Sequence, residues 1–410
     1  MAIELMTLRF ALRNLFRQRG RTAMTLASII FGVVGLILSG GFVEDVFIQL
    51  REATIHSRLG HIQVYKEGYL ANWTKDPGNY LIESPASLQE KIRAISGVKE
   101  TLQRVNFFGL INNGKTDLPI IGEGVEPDKE AAEFGDFFFV IEGRQLKSHE
   151  QYKILLGEGV AKSLNLPVGS FVTLLANMPE GGLNSLEFEV VGIFRTFSKD
   201  FDARAIRISL PDAQELLGAA GAHAVVVSLA DTLTTDEIAA TLKSALADQN
   251  VEVKTWFELD DFYRNTVGLY KAQLGVLQFI ILLVVLLSVA NSVNMTAYER
   301  VGEFGTLKAL GNRDSDISKL IILENCLLGL FGATAGVLLG TFLAWGISAI
   351  GIPMPPPPNS NAGYTAYIRI VPSVLAVSFF IGLLATVLSS LMAARGAARV
   401  PVVDALRQNI

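Results

Sequence analysis

The sequence predicts a membrane α-helical bundle of four transmembrane helices, with a large α+β extracytoplasmic domain inserted between helices 1 and 2. Half of the 410 residues are hydrophobic, only 18% are charged and the mean hydropathy is +0.38, which is unusual for a soluble globular protein. The apolar runs lie near the start of the chain and in its last third. Residues 44–265, which separate them, carry 21 Lys and Arg against 33 Asp and Glu, and this acidic block is expected to face water.

Four segments are long enough to span a hydrocarbon core of about 30 Å, which requires about 20 apolar residues. Uncharged runs cover 22–43, 272–298 and 370–394. A further uncharged run, 325–368, is too long for one helix, and the prolines between 353 and 358 must interrupt it because consecutive prolines exclude a helix. We therefore predict transmembrane helices at 22–43, 270–297, 317–350 and 370–394, cytoplasmic helices at 1–21 and 298–313, a periplasmic Pro-rich loop at 351–369 and a cytoplasmic tail at 395–410.

The basic residues near the helix ends predict the orientation, because positive charge collects on the cytoplasmic side. Five arginines precede helix 1, three follow helix 4 and four Lys or Arg separate helices 2 and 3, whereas Arg369 alone separates helices 3 and 4. We expect a multi-pass membrane protein with both termini in the cytoplasm and residues 44–265 on the other side of the membrane. Helix 1 is expected to be an uncleaved anchor, since its apolar run is too long for a typical signal peptide.

The first 21 residues have a pattern of their own. Arg9, Arg13 and Arg17 recur every four residues and form one stripe on a helix, while the leucines among them fall on another face. This pattern predicts a basic amphipathic helix that lies on the cytoplasmic leaflet. The alternative is an ordinary positively charged flank of helix 1.

Short strands and helices alternate in the acidic block. The residues of about 143–218 are expected to form a subdomain inserted into an outer one. The pattern predicts strands at 61–65, 102–111, 116–121, 170–176, 186–197, 205–210, 224–229 and 251–255, and helices at 85–95, 159–164 and 235–247 with a further helix opened by Pro211.

Residues 109–116 (GLINNGKT) fit the P-loop pattern G-x-x-x-x-G-K-[ST] letter for letter. A P-loop opens a helix whose first amides bind phosphate, whereas the residues that follow Thr116 include Pro119 and read as a second strand. We therefore predict a hairpin turn and no nucleotide site. Residues 38–41 (LSGG) match the signature of an ABC ATPase by chance, because they lie inside the apolar run of helix 1.

The remaining residues give no reason to expect catalysis on this chain. A serine elbow, a zinc-binding His pair and a Gly-rich dinucleotide motif are all missing from the sequence. Cys326 is the single cysteine and the four histidines lack ligand spacing. We expect no catalytic residue, no cofactor, no metal and no nucleic-acid partner, and the chain is expected not to be an enzyme.

Predicted helix 3 carries two notable features. Small residues every three or four positions let membrane helices approach closely, and this helix has four glycines with that spacing on one face. Glu324 is the only acidic residue inside a predicted span. A charge within the membrane suggests a functional role, but we favour the alternative that Glu324 anchors the helix near the cytoplasmic interface. The glycines predicted to pack against another helix, in a sliding or a static contact, are Gly329, Gly332, Gly336 and Gly340.

Residues 298–311 (YERVGEFGTLKALG) form a short polar segment between helices 2 and 3, which predicts a helix that docks against a cytoplasmic partner. Residues 299–311 resemble the E-R-x-x-E-I-G-x-L-K-A-x-G coupling helix of the permease family of MacB, LolC/LolE and FtsX, the mechanotransmission class of ABC transporters, with Phe304 where Ile is usual. Residues 8–15 resemble the N-terminal elbow of that family, 165–170 resemble a turn in its periplasmic domain, and 397–407 resemble its C-terminal ending. The resemblance assigns ATPase coupling to Glu299, Arg300, Glu303, Gly305, Lys308 and Gly311.

The resemblance covers essentially the whole chain and implies several partners. Without a fused ATPase, ATP and Mg would be bound by separate cytoplasmic ABC ATPase subunits, and a second permease copy or a close paralogue would complete a dimer in the lipid membrane. The LolC/LolE branch, which extracts lipoproteins from the inner membrane, is the most similar in appearance. Its protruding hairpin recruits a periplasmic carrier, whereas residues 177–185 form a short loop here. FtsX-like signalling to a periplasmic partner and MacB-like export of peptides or amphiphiles are the alternatives.

Overall fold

The computed structural model describes residues 19–73, 75, 77–135, 137–179, 181–196, 198–355 and 363–397. They divide into two compact units. The helical domain contains the residues up to Ile48, Val267–Pro353 and the residues from Thr365 onward, and the sheet domain contains Gln49–Thr266 and Met354–Tyr364. Arg9, Arg13 and Arg17 of the predicted amphipathic helix, and the tail from residue 398, lie outside the described residues.

The first described helix, α1 (Arg19–Thr54), continues as a π-helical turn at Ile55–Leu59. It begins three residues before the predicted transmembrane segment and passes its predicted end, residue 43, by eleven residues. The charges at Glu44 and Asp45 end the apolar run, but buried residues continue beyond them at helical spacing, including Phe47 and Leu50. Hydropathy therefore marks the apolar part of this helix and not its end.

The sheet domain contains ten of the strands in the described residues, joined by eight short helices. The strands are β1 (Ile62–Lys66), β2 (Val98–Asn112), β3 (Asp117–Val125), β4 (Phe139–Gly143), β5 (Lys153–Gly157), β6 (Phe171–Asn177), β7 (Leu183–Arg195), β8 (Ala205–Ser209), β9 (Ala224–Leu229) and β10 (Val251–Thr255). The helices are α2 (Tyr69–Asn72), α3 (Pro85–Arg93), α4 (Pro127–Phe134), α5 (Glu158–Leu164), α6 (Lys199–Asp202), α7 (Leu210–Leu217), α8 (Thr235–Ala245) and α9 (Trp256–Leu259).

These strands form one mixed sheet in the order β10-β1-β9-β2-β3-β8-β5-β7-β4, and β6 pairs with both β2 and β7. The pairs β3–β8 and β5–β7 are parallel. Strands β5 to β8, from the predicted subdomain at about 143–218, continue this sheet through β8 and do not form a separate one. Strands β4 and β5 were not predicted from the sequence. Strand β4 is exposed at the edge of the sheet and β5 is almost wholly buried, so neither has the alternation that marks a half-buried strand.

The P-loop look-alike is a hairpin turn, as predicted. Strand β2 ends at Asn112 and pairs in antiparallel register with β3, which begins at Asp117. Gly114 has a φ of +83°, a conformation that glycine adopts without steric cost, and the side chain of Asn113 accepts from the backbone N–H of Thr116 at 2.9 Å. No helix follows the turn, so the segment lacks the helix start that phosphate binding requires.

Four buried charged residues lie together in the sheet domain, and we call them the buried charge cluster. They are Arg104 on β2, Glu123 on β3, Glu130 on α4 and Arg207 on β8, each at most 6% exposed. Arg104 Nε donates to Glu130 Oε1 at 2.6 Å, and Arg207 Nε donates to Glu123 Oε2 at 2.8 Å. Arg207 also lies over the Phe138 ring, 4.2 Å from its centre. The cluster balances two positive and two negative charges in the interior, where an unpaired charge would be costly.

Two histidines that lie five residues apart in sequence pack against each other, with ring centres 5.3 Å apart. His61 is buried, and its Nδ1 accepts from the Leu229 N–H at 3.2 Å, so Nε2 carries the hydrogen and donates to Thr232 Oγ1 at 3.1 Å. Burial, with the nearby His56, lowers the pKa of His61 to about 4. His61 is therefore a neutral structural residue at neutral pH.

The helical domain is completed by four helices: α10 (Asp261–Glu299), α11 (Val301–Ala309), α12 (Asp314–Ile350) and α13 (Pro372–Ala397). Between α12 and α13 the strands β11 (Ile352–Met354) and β12 (Tyr364–Ala366) form a two-stranded sheet within the predicted Pro-rich loop. In the described residues, four segments are long and apolar enough to cross a membrane: Thr22–Leu59, Asp261–Thr296, Asp314–Ile350 and Pro372–Met392.

Candidate functional site

Helix α11 lies between α10 and α12 and occupies the centre of the predicted 298–313 segment. Arg300 leaves helical geometry (φ −97°, ψ 9°) and separates α10 from α11. Gly311 has a φ of +96° and its N–H donates to the Lys308 carbonyl at 2.9 Å, which closes the C-terminal end. The segment is therefore a nine-residue helix with a defined break at each end, shorter than the predicted sixteen residues.

Arg300 binds α11 to α12. Its Nη1 donates to Glu324 Oε2 at 2.7 Å and its Nε donates to Glu303 Oε2 at 3.0 Å. The guanidinium also lies over the Phe304 ring, 5.3 Å from its centre. The side chains of Arg300 and Glu324 are only 11% and 10% exposed, and such a pair fixes geometry because removing one partner leaves a charge that is hard to solvate.

A second ion pair joins the far end of α11 to the start of α12. Lys308 Nζ lies 2.8 Å from Asp314 Oδ1. Between the two ion pairs, Phe304 and Gly305 are buried, and Phe304 belongs to the apolar core of the helical domain. Arg300, Phe304 and Lys308 thus hold α11 onto the bundle.

Other residues of this segment are exposed in the part of the chain that the structure describes. Thr306, Ala309 and Leu310 are exposed, Leu310 at 78%, and the exposed stretch continues from Gly311 to Asp316. Glu299, the first predicted coupling residue, is the last residue of α10 and is also exposed. The structure therefore separates an inward set of motif residues from an outward apolar tip at Leu310.

Glu324 pairs with Arg300, twenty-four positions earlier, and its predicted role as an interfacial anchor stays a prediction. A signal for the pair was present in the sequence, because a lone acid in an apolar span needs a partner and Arg300 is the first basic residue of the adjoining polar segment. Spacing alone does not identify that partner, since the chain reverses direction between the two residues.

The glycine stripe of α12 lies against α1. A Cβ at Gly332 would be 2.9 Å from Ile29 Cγ2, and one at Gly336 would be 2.8 Å from Val33 Cβ. A Cβ at Gly340 would be 2.9 Å from the side chain of Ile37. Ile29, Val33 and Ile37 are at most 1% exposed. A ridge of β-branched residues on α1 therefore fills a groove that exists because these three α12 positions have no side chain.

The fourth predicted glycine belongs to a different contact. A Cβ at Gly329 would lie 2.1 Å from Thr386 Oγ1 on α13. Gly382 on α13 meets α1 in turn, since its Cβ would be 2.7 Å from Val33 Cγ2. On α1 a Cβ at Gly40 would lie 2.7 Å from Val374 Cγ1 of α13, so α1, α12 and α13 are interlocked through glycines that come from all three.

Both parts of the chain match known families. Residues 22–245 match the MacB-like periplasmic core domain and residues 275–402 match the FtsX-like permease C-terminal region. An uncharacterized ABC transporter permease of Methanocaldococcus jannaschii is 26% identical over 97% of this chain and 96% of its own length. The lipoprotein-releasing system transmembrane protein LolC of Neisseria meningitidis is 25% identical over 80% of this chain and 78% of its own. A pyoverdine export ATP-binding/permease protein, PvdT of Pseudomonas syringae, is 25% identical over 97% of this chain but 58% of its own.

The fold and these matches define an ABC transporter permease. The chain belongs to the MacB/FtsX/LolC family of these permeases, which combines a MacB-like periplasmic core domain with an FtsX-like C-terminal region. Members of this family work with cytoplasmic ATPases. The predicted resemblance of the chain to this permease family is thereby confirmed, and the coupling role of residues 299–311 stays a prediction.

Proposed function

We propose that this permease is driven by an ATPase on a separate cytoplasmic subunit and that the exposed tip of α11 at Leu310 is where that subunit docks. The observation that carries the proposal is the division of the segment into two sides. Arg300 and Lys308 bind α11 to α12 through ion pairs, so a push on the tip is transmitted to the bundle and not absorbed by a loose loop.

The same proposal sets the topology. Both termini and α11 are in the cytoplasm, the sheet domain is in the periplasm, and the protein spans the bacterial inner membrane four times. The distribution of basic residues supports this orientation, and so does the family's periplasmic domain. A homodimer, or a dimer with a close paralogue, would place two α11 tips opposite two ATPase subunits.

For the substrate, we propose lipoproteins or other lipidated molecules that are extracted from the inner membrane. The support is the LolC relative, which matches most of both chains. Capture of a carrier by the 177–185 turn is not part of the proposal, because this turn is held on its own domain. Asn184 Nδ2 donates to the carbonyls of Glu215 and Leu216, at 3.2 and 3.0 Å.

Replacing Leu310 with Asp tests the docking site. The variant is expected to insert and fold normally, because Leu310 makes no core contact, while hydrolysis by the reconstituted complex of permease and ATPase falls at least about tenfold. Leu233→Asp is the matched control, since Leu233 is 77% exposed on the sheet domain. The measurement is ATP hydrolysis in nanodiscs together with the amount of ATPase that co-purifies. If Leu310→Asp behaves like Leu233→Asp in both measurements, Leu310 is not the docking site.

Depletion of the protein in its native cell tests the substrate. Lipoproteins destined for the outer membrane are expected to accumulate in the inner-membrane fraction. The PvdT relative favours a second candidate, export of peptides or small amphiphiles, for which drug sensitivity without lipoprotein accumulation is expected. FtsX-like signalling to a periplasmic partner predicts neither lipoprotein accumulation nor drug sensitivity. It predicts a defect that is confined to the activity of that partner.

A further inference from the structure

A second ion pair of the helical domain, with one buried partner, lies where the segment that leads into α13 contacts α1. Asp45 on α1 is fully buried. Its Oδ1 accepts from Arg369 Nε at 2.7 Å and its Oδ2 accepts from the Tyr367 N–H at 2.9 Å. The Arg369 N–H donates to the Gly41 carbonyl, one helical turn earlier on α1, at 3.1 Å. We call these contacts the clasp.

The clasp is closely packed and reaches a third helix. A Cβ at Gly41 would lie 2.5 Å from the Arg369 carbonyl oxygen and 2.8 Å from the Ile368 side chain, so the backbone of this segment lies directly on α1. Ser348 of α12 donates to the Ile368 carbonyl at 3.1 Å and accepts from the Ile368 N–H at 2.9 Å. Three consecutive residues, 367–369, therefore bind α1 and α12 shortly before α13 begins at Pro372.

A carboxylate at position 45 favours one arrangement of the segment before α13, because its charge has to be paired. Asp45 lies in a stretch of α1 whose other buried residues include Val43 and Phe47, and an apolar residue there would pack without needing Arg369. A charge can be buried when its hydrogen bonds are satisfied. The main effect of such a charge is then to specify one geometry, and its contribution to stability is smaller. Asp45 thus selects a single position for the segment before α13.

Helix α10 contacts α1 in a different way. Two pairs of hydroxyl groups join them, Ser28 with Ser288 and Thr25 with Ser292, and Val285 packs at Gly32. In the first half of α10, Tyr270 meets Phe47 of α1 edge-to-face, with ring centres 6.3 Å apart. Another side of α10 is exposed, and Leu269, Val276 and Phe279 are 60%, 60% and 63% exposed there. A pair of small hydroxyl groups can exchange hydrogen-bond partners when a helix moves, whereas the buried Asp45 carboxylate is satisfied in one geometry.

We propose that Asp45 and Arg369 are positioning residues that lock α1, α12 and α13 into one rigid body, against which α10 moves. The glycine contacts lock the three helices along their length, and the clasp locks them at the segment before α13. The motion of α10 rests on the proposed function, because it is the ATPase that drives it through α11. The lock itself is a property of this chain alone and is tested separately.

The lock is tested by electron paramagnetic resonance distances in nanodiscs, in a Cys326→Ser background, with labelled protein diluted in unlabelled protein. One label pair joins α1 to α13 at positions 31 and 380, where Phe31 and Phe380 are 81% and 63% exposed. Arg369→Gln is expected to broaden this distance distribution at least about twofold, and Arg369→Lys, which keeps the charge, is expected to leave it narrow. Arg369 is the partner to change because its side chain is 48% exposed whereas that of Asp45 is fully buried, so the new side chain does not have to fit a packed interior. An unchanged width in Arg369→Gln would overturn the lock.

The motion is tested with the full complex of permease and ATPase, trapped with ATP and vanadate. A second label pair joins α1 to α10 at positions 31 and 279. This distance is expected to shift by several ångströms while the distance from 31 to 380 stays constant. If both distances shift together, α1, α12 and α13 are not one body. If no ATPase associates with the chain, the proposed function fails, while the Arg369→Gln result still decides the lock.

Discussion

Glu130→Ala is expected to lower the free energy of unfolding of the sheet domain by about 3–5 kcal/mol, because it leaves Arg104 buried without its carboxylate. Both Nε and Nη2 of Arg104 donate to Glu130, and Arg104 is only 3% exposed. Since a typical domain is stable by about 5–15 kcal/mol, this change removes a large share of its stability. Urea unfolding of the full chain in nanodiscs measures it through tryptophan fluorescence, since Trp73 and Trp256 lie in the sheet domain.

Glu150→Ala is the control for that measurement. Glu150 also pairs with an arginine, Arg144, at 2.6 Å, but the side chain of Arg144 is 43% exposed. An exposed pair contributes about 0–1 kcal/mol, so a small effect is expected. The double variant Arg104→Met, Glu130→Leu is expected to recover most of the loss, because apolar residues of similar volume replace a buried pair at little cost. Equal effects of Glu130→Ala and Glu150→Ala would contradict the structural role of the buried charge cluster.

Gly336→Leu is expected to disrupt the helical domain. Even a Cβ at this position would lie 2.8 Å from Val33 Cβ and 3.3 Å from the Ile30 Cα, and backbone cannot move aside as a flexible side chain does. Overpacking costs about 1–3 kcal/mol, and a leucine between two helices belongs at or above the upper end of that range. The thermal unfolding midpoint is read from the reactivity of Cys326, the one cysteine, which lies on the same helix.

Gly346→Leu is the matched control, since it lies on the same helix and a Cβ there has no neighbour within 4 Å in the described residues. It is expected to leave the midpoint within a few degrees of the parent protein. Val33→Ala should partly restore Gly336→Leu, because it removes Val33 Cγ1, which lies 3.0 Å from the new Cβ, while Val33 Cβ remains. Equal midpoints for Gly336→Leu and Gly346→Leu would show that the α1–α12 contact is not tight.

Features set by local chemistry were predictable from the sequence. The hairpin at Gly114 follows from two β-like runs and a loop that must turn, and the four long helices follow from hydropathy. The glycine stripe of α12 was predictable because its glycines lie in one continuous segment, where helical spacing places them on one face. Its partner was not, since no rule of spacing relates Ile29 and Val33 to glycines three hundred residues later.

Long-range charge pairs escaped prediction for the same physical reason. Arg104 and Arg207 look like ordinary strand residues, and their carboxylate partners come from other elements that only the folded sheet brings near. Asp45 was read as the end of the apolar run, whereas its pairing with Arg369 lets the helix continue through it. In each case the missing information was the identity of the counter-ion, which depends on topology and not on local sequence.

The Arg300–Glu324 pair also bears on how the chain enters the bilayer during synthesis. Releasing a helix with a lone carboxylate from the translocon into lipid is costly. Arg300 is synthesised twenty-four residues before Glu324, so its positive charge is available before α12 is complete. This order is expected to spare α12 an unpaired passage, and the pair that positions α11 in the finished protein would then also assist its biogenesis.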